Sequence, residues 1–175
     1  VGNNLEHTVI PGKRVGNIGK FTTADMLDAL YGRKQVQHKK LPNIDGELYE
    51  ATFIHAGTEY ELLVVWQSDA IHQRIRSVQL IGRAWLLDNG LKLGLTPAQV
   101  EKINGSEFTV NGFGWEQGGF ATISKGTLSE GIRLRFAPVE KSYPDSLRGR
   151  DVFKSSNPIL EKAQVVLSEM SIHFY

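Results

Sequence analysis

Lys20-Phe21-Thr22-Thr23-Ala24-Asp25-Met26-Leu27-Asp28-Ala29-Leu30-Tyr31-Gly32 and, further along, Leu95-Thr96-Pro97-Ala98-Gln99-Val100-Glu101-Lys102-Ile103-Asn104-Gly105 are the stretches on which the fold turns. Each reads as a short helix with a hydroxyl residue able to cap the first free amides and a glycine able to end the last turn. In the first, Thr23 or Thr22 is the N-cap, Gly32 is the stop, and Met26, Leu27, Leu30 and Tyr31 make the apolar face. In the second, Thr96 caps, Pro97 occupies the first helical position that proline favours, and Gly105 stops the helix. Laying Gly32 on Gly105 also lays Thr23 on Thr96, Leu27 on Val100, Asp28 on Glu101 and Leu30 on Ile103. Cap, core and stop recurring at one offset point to an internal duplication.

The strand pattern behind each helix also repeats in kind. After the first come candidate strands at 47–55, 60–67 and 74–82, with a turn around Ala56-Gly57-Thr58. Val64, Val65 and Trp66 give the middle strand an apolar centre, and Ile75, Val78 and Leu80 mark one buried face of the third. After the second helix come candidate strands at 118–124, 131–137 and 164–175, where Ile132, Leu134 and Phe136 alternate with Arg133 and Arg135. The expected fold class is α+β: two diverged helix-plus-antiparallel-β-meander repeats, over 15–87 and 88–175, packed as one compact domain spanning 1–175. The second repeat carries a long insertion at 138–163. Loops of that length commonly bind something, move, or conceal a short helix, and Pro158-Ile159-Leu160-Glu161-Lys162 has the makings of one.

Composition narrows the function classes. The chain of 175 residues is large enough for a packed core, and its hydrophobic (41%) and charged (22%) fractions are those of a globular protein. With 20 Lys and Arg against 19 Asp and Glu, no bulk attraction to nucleic acid is implied. No apolar run approaches the ~20 residues that span a bilayer. Cysteine is absent, which removes disulfides and thiol chemistry from this segment. The opening Val1-Gly2-Asn3-Asn4-Leu5 lacks a leader pattern, and a start without Met fits a processed exported product, so a periplasmic or cell-surface location is expected.

The helix signature G-x-T-x-x-x-(L/V)-x-x-(I/L)-x-G, complete from Gly94 to Gly105 and with Phe21 in place of its first glycine in the earlier helix, together with the order of strands behind it, resembles the β-lactamase-inhibitor-protein fold and, more loosely, small outer-membrane assembly lipoproteins built from one such unit. The resemblance covers roughly residues 15–137 and implies tandem helix-plus-sheet repeats offering a curved surface. A second segment, Gly112-Phe113-Gly114-Trp115-Glu116-Gln117-Gly118-Gly119, is similar to a G-F-G-W-(D/E)-x-G-G run in uncharacterised exported bacterial proteins, which implies kinship without an activity.

That segment is the most unusual in the chain. Its four glycines allow backbone conformations closed to other residues and bring two aromatic rings and a carboxylate into a tight turn. Phe113, Trp115 and Glu116, with Tyr143 from the insertion, are the candidate ligand-binding residues; the alternative is that the rings fill the core while the glycines shape a turn. It is not a phosphate loop, because the Lys and Ser/Thr are missing. No G-x-S-x-G elbow is present. Glu47, Glu50, Glu59, Glu61 and Glu116 supply carboxylates without a spacing that splits their acidities. The five histidines, at 7, 38, 55, 72 and 173, follow no metal-binding spacing, although strands could bring His55 beside His72; no metal or cofactor is expected. Basic residues gather at Lys39-Lys40, Arg74 and Arg76, Arg133 and Arg135, and Arg148 and Arg150, without interleaved aromatics. The sequence therefore favours a non-enzymatic module that binds a protein or a cell-surface polymer, with Trp66, Trp85, Trp115 and Tyr143 as candidate anchors. The alternative is a small hydrolase-like enzyme working through Glu116.

Overall fold

Thr23 and Thr96 cap their helices by the same bond. The Thr23 side chain accepts from the Met26 amide and that of Thr96 from the Gln99 amide, and the Gln99 side chain reaches back to the Thr96 amide to complete a capping box. The helices α1 (Ala24–Tyr31) and α2 (Pro97–Asn104) are both eight residues long. They end where Gly32 and Gly105 donate their amides to Asp28 and Glu101 carbonyls. The computed structural model describes residues 5–68 and 72–175, an α+β chain that divides into two compact units, Val1–Leu87 with Ser171–Tyr175, and Asp88–Met170.

In the first unit, β1 (Val9–Ile10), β2 (Arg14–Val15) and β3 (Ile18–Gly19) form a small antiparallel sheet before α1. After α1 the chain runs up and down through β4 (Val36–Pro42), β5 (Leu48–Ile54), β6 (Leu62–Trp66) and β7 (Ile75–Leu80). Strand β6 lies between two neighbours and buries Leu62, Leu63, Val64 and Trp66, as its apolar run predicts. On β7, Ile75 and Val78 are both buried although their spacing breaks strict alternation. The register explains it: Val65 faces Ser77 while Trp66 faces Ile75, so Arg76 is the extra residue of a bulge that resets the parity.

One expectation for α1 is corrected. Leu27 is fully buried and Tyr31 half-buried, but Met26 and Leu30 are each 47% exposed. Positions 27 and 31 form one i, i+4 stripe, and 26 and 30 form the stripe a hundred degrees away. Eight residues bury only the first. Strand β4 escaped the sequence reading altogether. Of its seven residues only Val36 is buried, and Lys39 and Lys40 stand on an exposed outer strand, where charge discourages further pairing.

In the second unit, α2 is followed by β8 (Thr109–Asn111), β9 (Ala121–Thr122), β10 (Ile132–Pro138), β11 (Val152–Lys154), the short helix α3 (Pro158–Lys162) and β12 (Val165–Ile172), whose last two residues lie in the first unit opposite Gln79 and Val78. These strands do not repeat the simple meander. Strand β8 is flanked by β9 and β11, and β10 lies beside β12. The insertion makes the difference, because its β11 places Phe153 opposite Val110 and takes the side of β8 that β9 leaves open. Leu91, Val100, Phe108, Val110, Leu134, Phe136, Leu147, Leu160 and Leu167 pack inside this unit, with the Phe108 and Phe136 rings stacked at 5.8 Å.

Candidate binding surfaces

The Gly-rich segment 112–119 is held by hydrogen bonds along most of its length. Gly112 donates its amide to the Asp151 carbonyl (2.7 Å) and Phe113 to that of Leu147 (2.8 Å), while the Phe113 carbonyl accepts from Gly149 (2.9 Å). Gly118 closes a turn onto the Trp115 carbonyl, Gly119 donates to Asn111, and the Phe136 amide donates to the Gly119 carbonyl (2.7 Å). Side chains complete the frame: Asn111 donates to the Gln117 carbonyl, and the Arg135 guanidinium donates to that of Gly118 (2.8 Å). At Gly112 and Gly119 a side chain would strike backbone. A Cβ on Gly112 would stand 2.4 Å from the Gly149 carbonyl oxygen, and one on Gly119, at φ +79°, 1.9 Å from that of Phe136.

This frame sorts the candidate residues. Phe113 is 5% exposed and meets the Tyr143 ring edge-on at 5.8 Å, so it anchors the loop in the core. Trp115 is half-buried, with its indole N–H donated to the Gly112 carbonyl (2.8 Å), and Tyr143 is half-buried beside Gly114. Glu116 is exposed, and its carboxylate has no hydrogen-bond or ion-pair partner among the described residues. Trp66 and Trp85, each 2% exposed, are not surface anchors: the first closes over Thr52, and the second lies edge-on beneath Tyr60 and His7.

The basic residues are not without aromatics. The guanidinium of Arg148 lies 4.7 Å from the centre of the Tyr143 ring and that of Arg150 5.2 Å from Trp115. Arg133 and Arg135 both reach the Phe120 ring, at 3.8 and 4.6 Å. Such contacts contribute about 0.5–1 kcal/mol each at exposed sites, and they also fix long side chains that otherwise lose rotamer freedom on binding. Arg133 and Arg135 stand on one face of β10 as their spacing requires, but their ring comes from a different part of the chain. Asp145 lies 3.9 Å from Arg148 as an exposed pair.

The histidines pair differently from the expectation for His55 and His72. His55 lies by Gln35 and Glu6 with its ring edge-on to Tyr31, whereas His72 lies 5.1 Å from His38. Trp66 donates its indole N–H to Thr52 Oγ1 (2.8 Å), Thr52 Oγ1 meets His38 Nδ1 (2.7 Å), and His38 Nε2 meets Asp28 (3.2 Å). Because the Asp28 carboxylate only accepts, Nε2 carries the proton that faces it, and in the neutral imidazole Nδ1 then accepts from the threonine hydroxyl, whose oxygen still has a lone pair for the indole N–H. The order carboxylate, imidazole, hydroxyl has the form of a nucleophilic triad, but Thr52 is fully buried, so no substrate carbon reaches it. The chain pins β4 and β5 to α1. Glu50 takes His72 at 3.0 Å and Lys40 at 3.7 Å. Burial, with a smaller push from Glu6, raises the Tyr31 hydroxyl to a pKa of about 12. Among the described residues no group of three or more His, Cys, Asp and Glu is placed to hold a metal ion, and no helix is long and apolar enough to cross a membrane.

No family model matches this chain, and no curated protein matches it in sequence. Its fold is similar to the crystal structure of the uncharacterized protein yfeY from Escherichia coli, with a TM-score of 0.59 and 15% identity, over 95% of this chain and 99% of that one. At this identity the likeness carries the fold alone, and it does not single out the β-lactamase-inhibitor fold or the G-F-G-W segment. The chain shares the α+β fold of an uncharacterized bacterial protein.

Proposed function

We propose that this chain is a non-enzymatic protein-binding module of the bacterial envelope, built from two diverged helix-plus-sheet copies and engaging its partner through Trp115, Tyr143, Arg148 and Arg150. The observation that carries this reading is the placement of Arg148 over the half-buried Tyr143 ring and of Arg150 over Trp115, the latter on a loop whose backbone is tied on both sides. Tryptophan, tyrosine and arginine are the residues that most often concentrate binding energy at protein interfaces, and a rigid frame spares them the ordering cost. The equal length and matched caps of α1 and α2 support duplication. Glu116, exposed and unpartnered among the described residues, gives the hydrolase alternative no second group with which to share a proton.

The test is photo-cross-linking with a benzophenone amino acid at Tyr143 in bacterial envelope preparations, with the same probe at Lys92 as control. A discrete protein adduct is expected from position 143 only, and the double variant Arg148→Glu, Arg150→Glu is expected to reduce it about tenfold or more. Adducts that are polysaccharide would move the reading to a cell-surface polymer. Equal labelling from both positions would remove the proposal.

A further inference from the structure

The first unit carries a separate hollow that the surface of the second unit does not involve. It measures about 280 Å³ and is lined by Lys20, Phe21, Gln67, Arg74, Ile75 and Phe174. Its construction starts in the backbone. Thr22 donates its amide to the Gly19 carbonyl (3.1 Å) and accepts the Gly19 amide on its hydroxyl (2.9 Å), and Thr22 itself is buried. Thr23 then caps α1, and Ala24 donates its amide to the His72 carbonyl. Fixed on both sides, Phe21 stands 82% exposed, the most exposed of the large hydrophobic side chains among the described residues. A lone exposed phenylalanine is ordinary. This one borders a hollow whose apolar surface also includes the half-buried Phe174 and the buried Ile75.

Charge defines what fits. Lys20 and Arg74 are both exposed, and among the described residues no carboxylate lines the hollow and neither cation is ion-paired. Lys20 leans over the Phe21 ring at 5.8 Å. Gln67, whose backbone amide continues the strand ladder to the Arg74 carbonyl (2.9 Å), adds an amide side chain to the lining. The hollow is smaller than the ~300–1,000 Å³ of drug-sized ligand sites, so it takes one side chain rather than a whole ligand.

We infer that the hollow receives the C-terminal residue of a polypeptide, its aromatic or large aliphatic side chain against Phe21, Ile75 and Phe174 and its α-carboxylate between Lys20 and Arg74. A free acid of the same size satisfies the same cations but leaves unused the Gln67 amide, which has the penultimate peptide group to bond, and it buries less surface. Recognition is of a chain end.

The experiment is a titration of the isotopically labelled protein, followed by NMR, with three probes: acetyl-Gly-Gly-Phe with a free carboxylate, the same peptide amidated, and phenylacetate. The free-acid peptide is expected to shift Phe21, Ile75 and Phe174 saturably, at least about tenfold more tightly than the amide or phenylacetate. Its affinity falls as salt rises. Arg74→Gln and Phe21→Ala, both exposed and therefore compatible with folding, each weaken it about tenfold, and Arg83→Gln leaves it unchanged. Equal affinity for acid and amide, equal affinity for phenylacetate, or no saturable shift at millimolar peptide overturns the inference.

Discussion

Gly119→Ala is expected to lower unfolding stability by about 3–5 kcal/mol, the largest effect of any single methyl group in the Gly-rich segment. Three costs combine. The left-handed φ of +79° is costly for any residue with a Cβ, by about 1–2 kcal/mol. That Cβ would stand 1.9 Å from the Phe136 carbonyl oxygen, which is backbone and has no rotamer through which to yield. Relief therefore requires the loop to withdraw, weakening the bonds from Phe136 to Gly119 and from Gly119 to Asn111, at about 1 kcal/mol each. Gly114→Ala is the comparison. Its φ of +89° carries the same conformational cost, but the new methyl would meet only the Arg148 Cγ at 3.3 Å and the Tyr143 hydroxyl at 3.4 Å, the movable parts of side chains. Urea unfolding followed by circular dichroism separates the two; a Gly119→Ala loss no larger than that of Gly114→Ala would mean that the loop is not packed as described.

Asn104→Ala is expected to cost about 2–4 kcal/mol by the same measurement. Asn104 is 1% exposed at the end of α2, and its side chain makes three hydrogen bonds, donating to the Ser106 and Lys125 carbonyls and accepting from the Leu128 amide. Its carbonyl takes a further bond, from the Thr127 amide. Gly126, at φ +104°, presses so close that a Cβ there would stand 2.4 Å from both Asn104 oxygens. Truncation leaves a buried amide and two carbonyls short of partners with no room for rearrangement. Asn104→Asp retains the acceptor but sets a carboxylate against two carbonyls, and it too is expected to destabilise.

How much of the structure is legible in the sequence depends on the range of the interactions involved. The caps Thr23 and Thr96 and the stops Gly32 and Gly105 act within four residues of themselves, so their chemistry is written locally. Strands β5, β6, β7 and β10 declared themselves through apolar runs or alternation. Strand β4 did not, because an edge strand built from Gln37, His38, Lys39 and Lys40 has the composition of a solvated loop. For α1, periodicity named two adjacent stripes, and only the sheet beneath decides which is buried. The candidate site divides along the same line. The glycines and rings of 112–119 stood out in composition, but the pairing of Trp115 with Arg150, of Phe120 with Arg133 and Arg135, and of His38 with His72 depends on register between distant segments.

Hydrogen exchange at the amides of Gly112, Phe113, Gly118 and Gly119 tests most directly whether the Gly-rich segment is a rigid frame that presents Trp115 and backs Tyr143 through Phe113. Each of these amides has a backbone acceptor, in Asp151, Leu147, Trp115 and Asn111 respectively. Exchange as slow as that of Leu134 and Phe136 on β10 is the predicted result. Exchange at the rate of an unstructured chain would contradict the account, because Trp115 would then ride on a mobile loop and Arg150 beside it would have no fixed surface to complete.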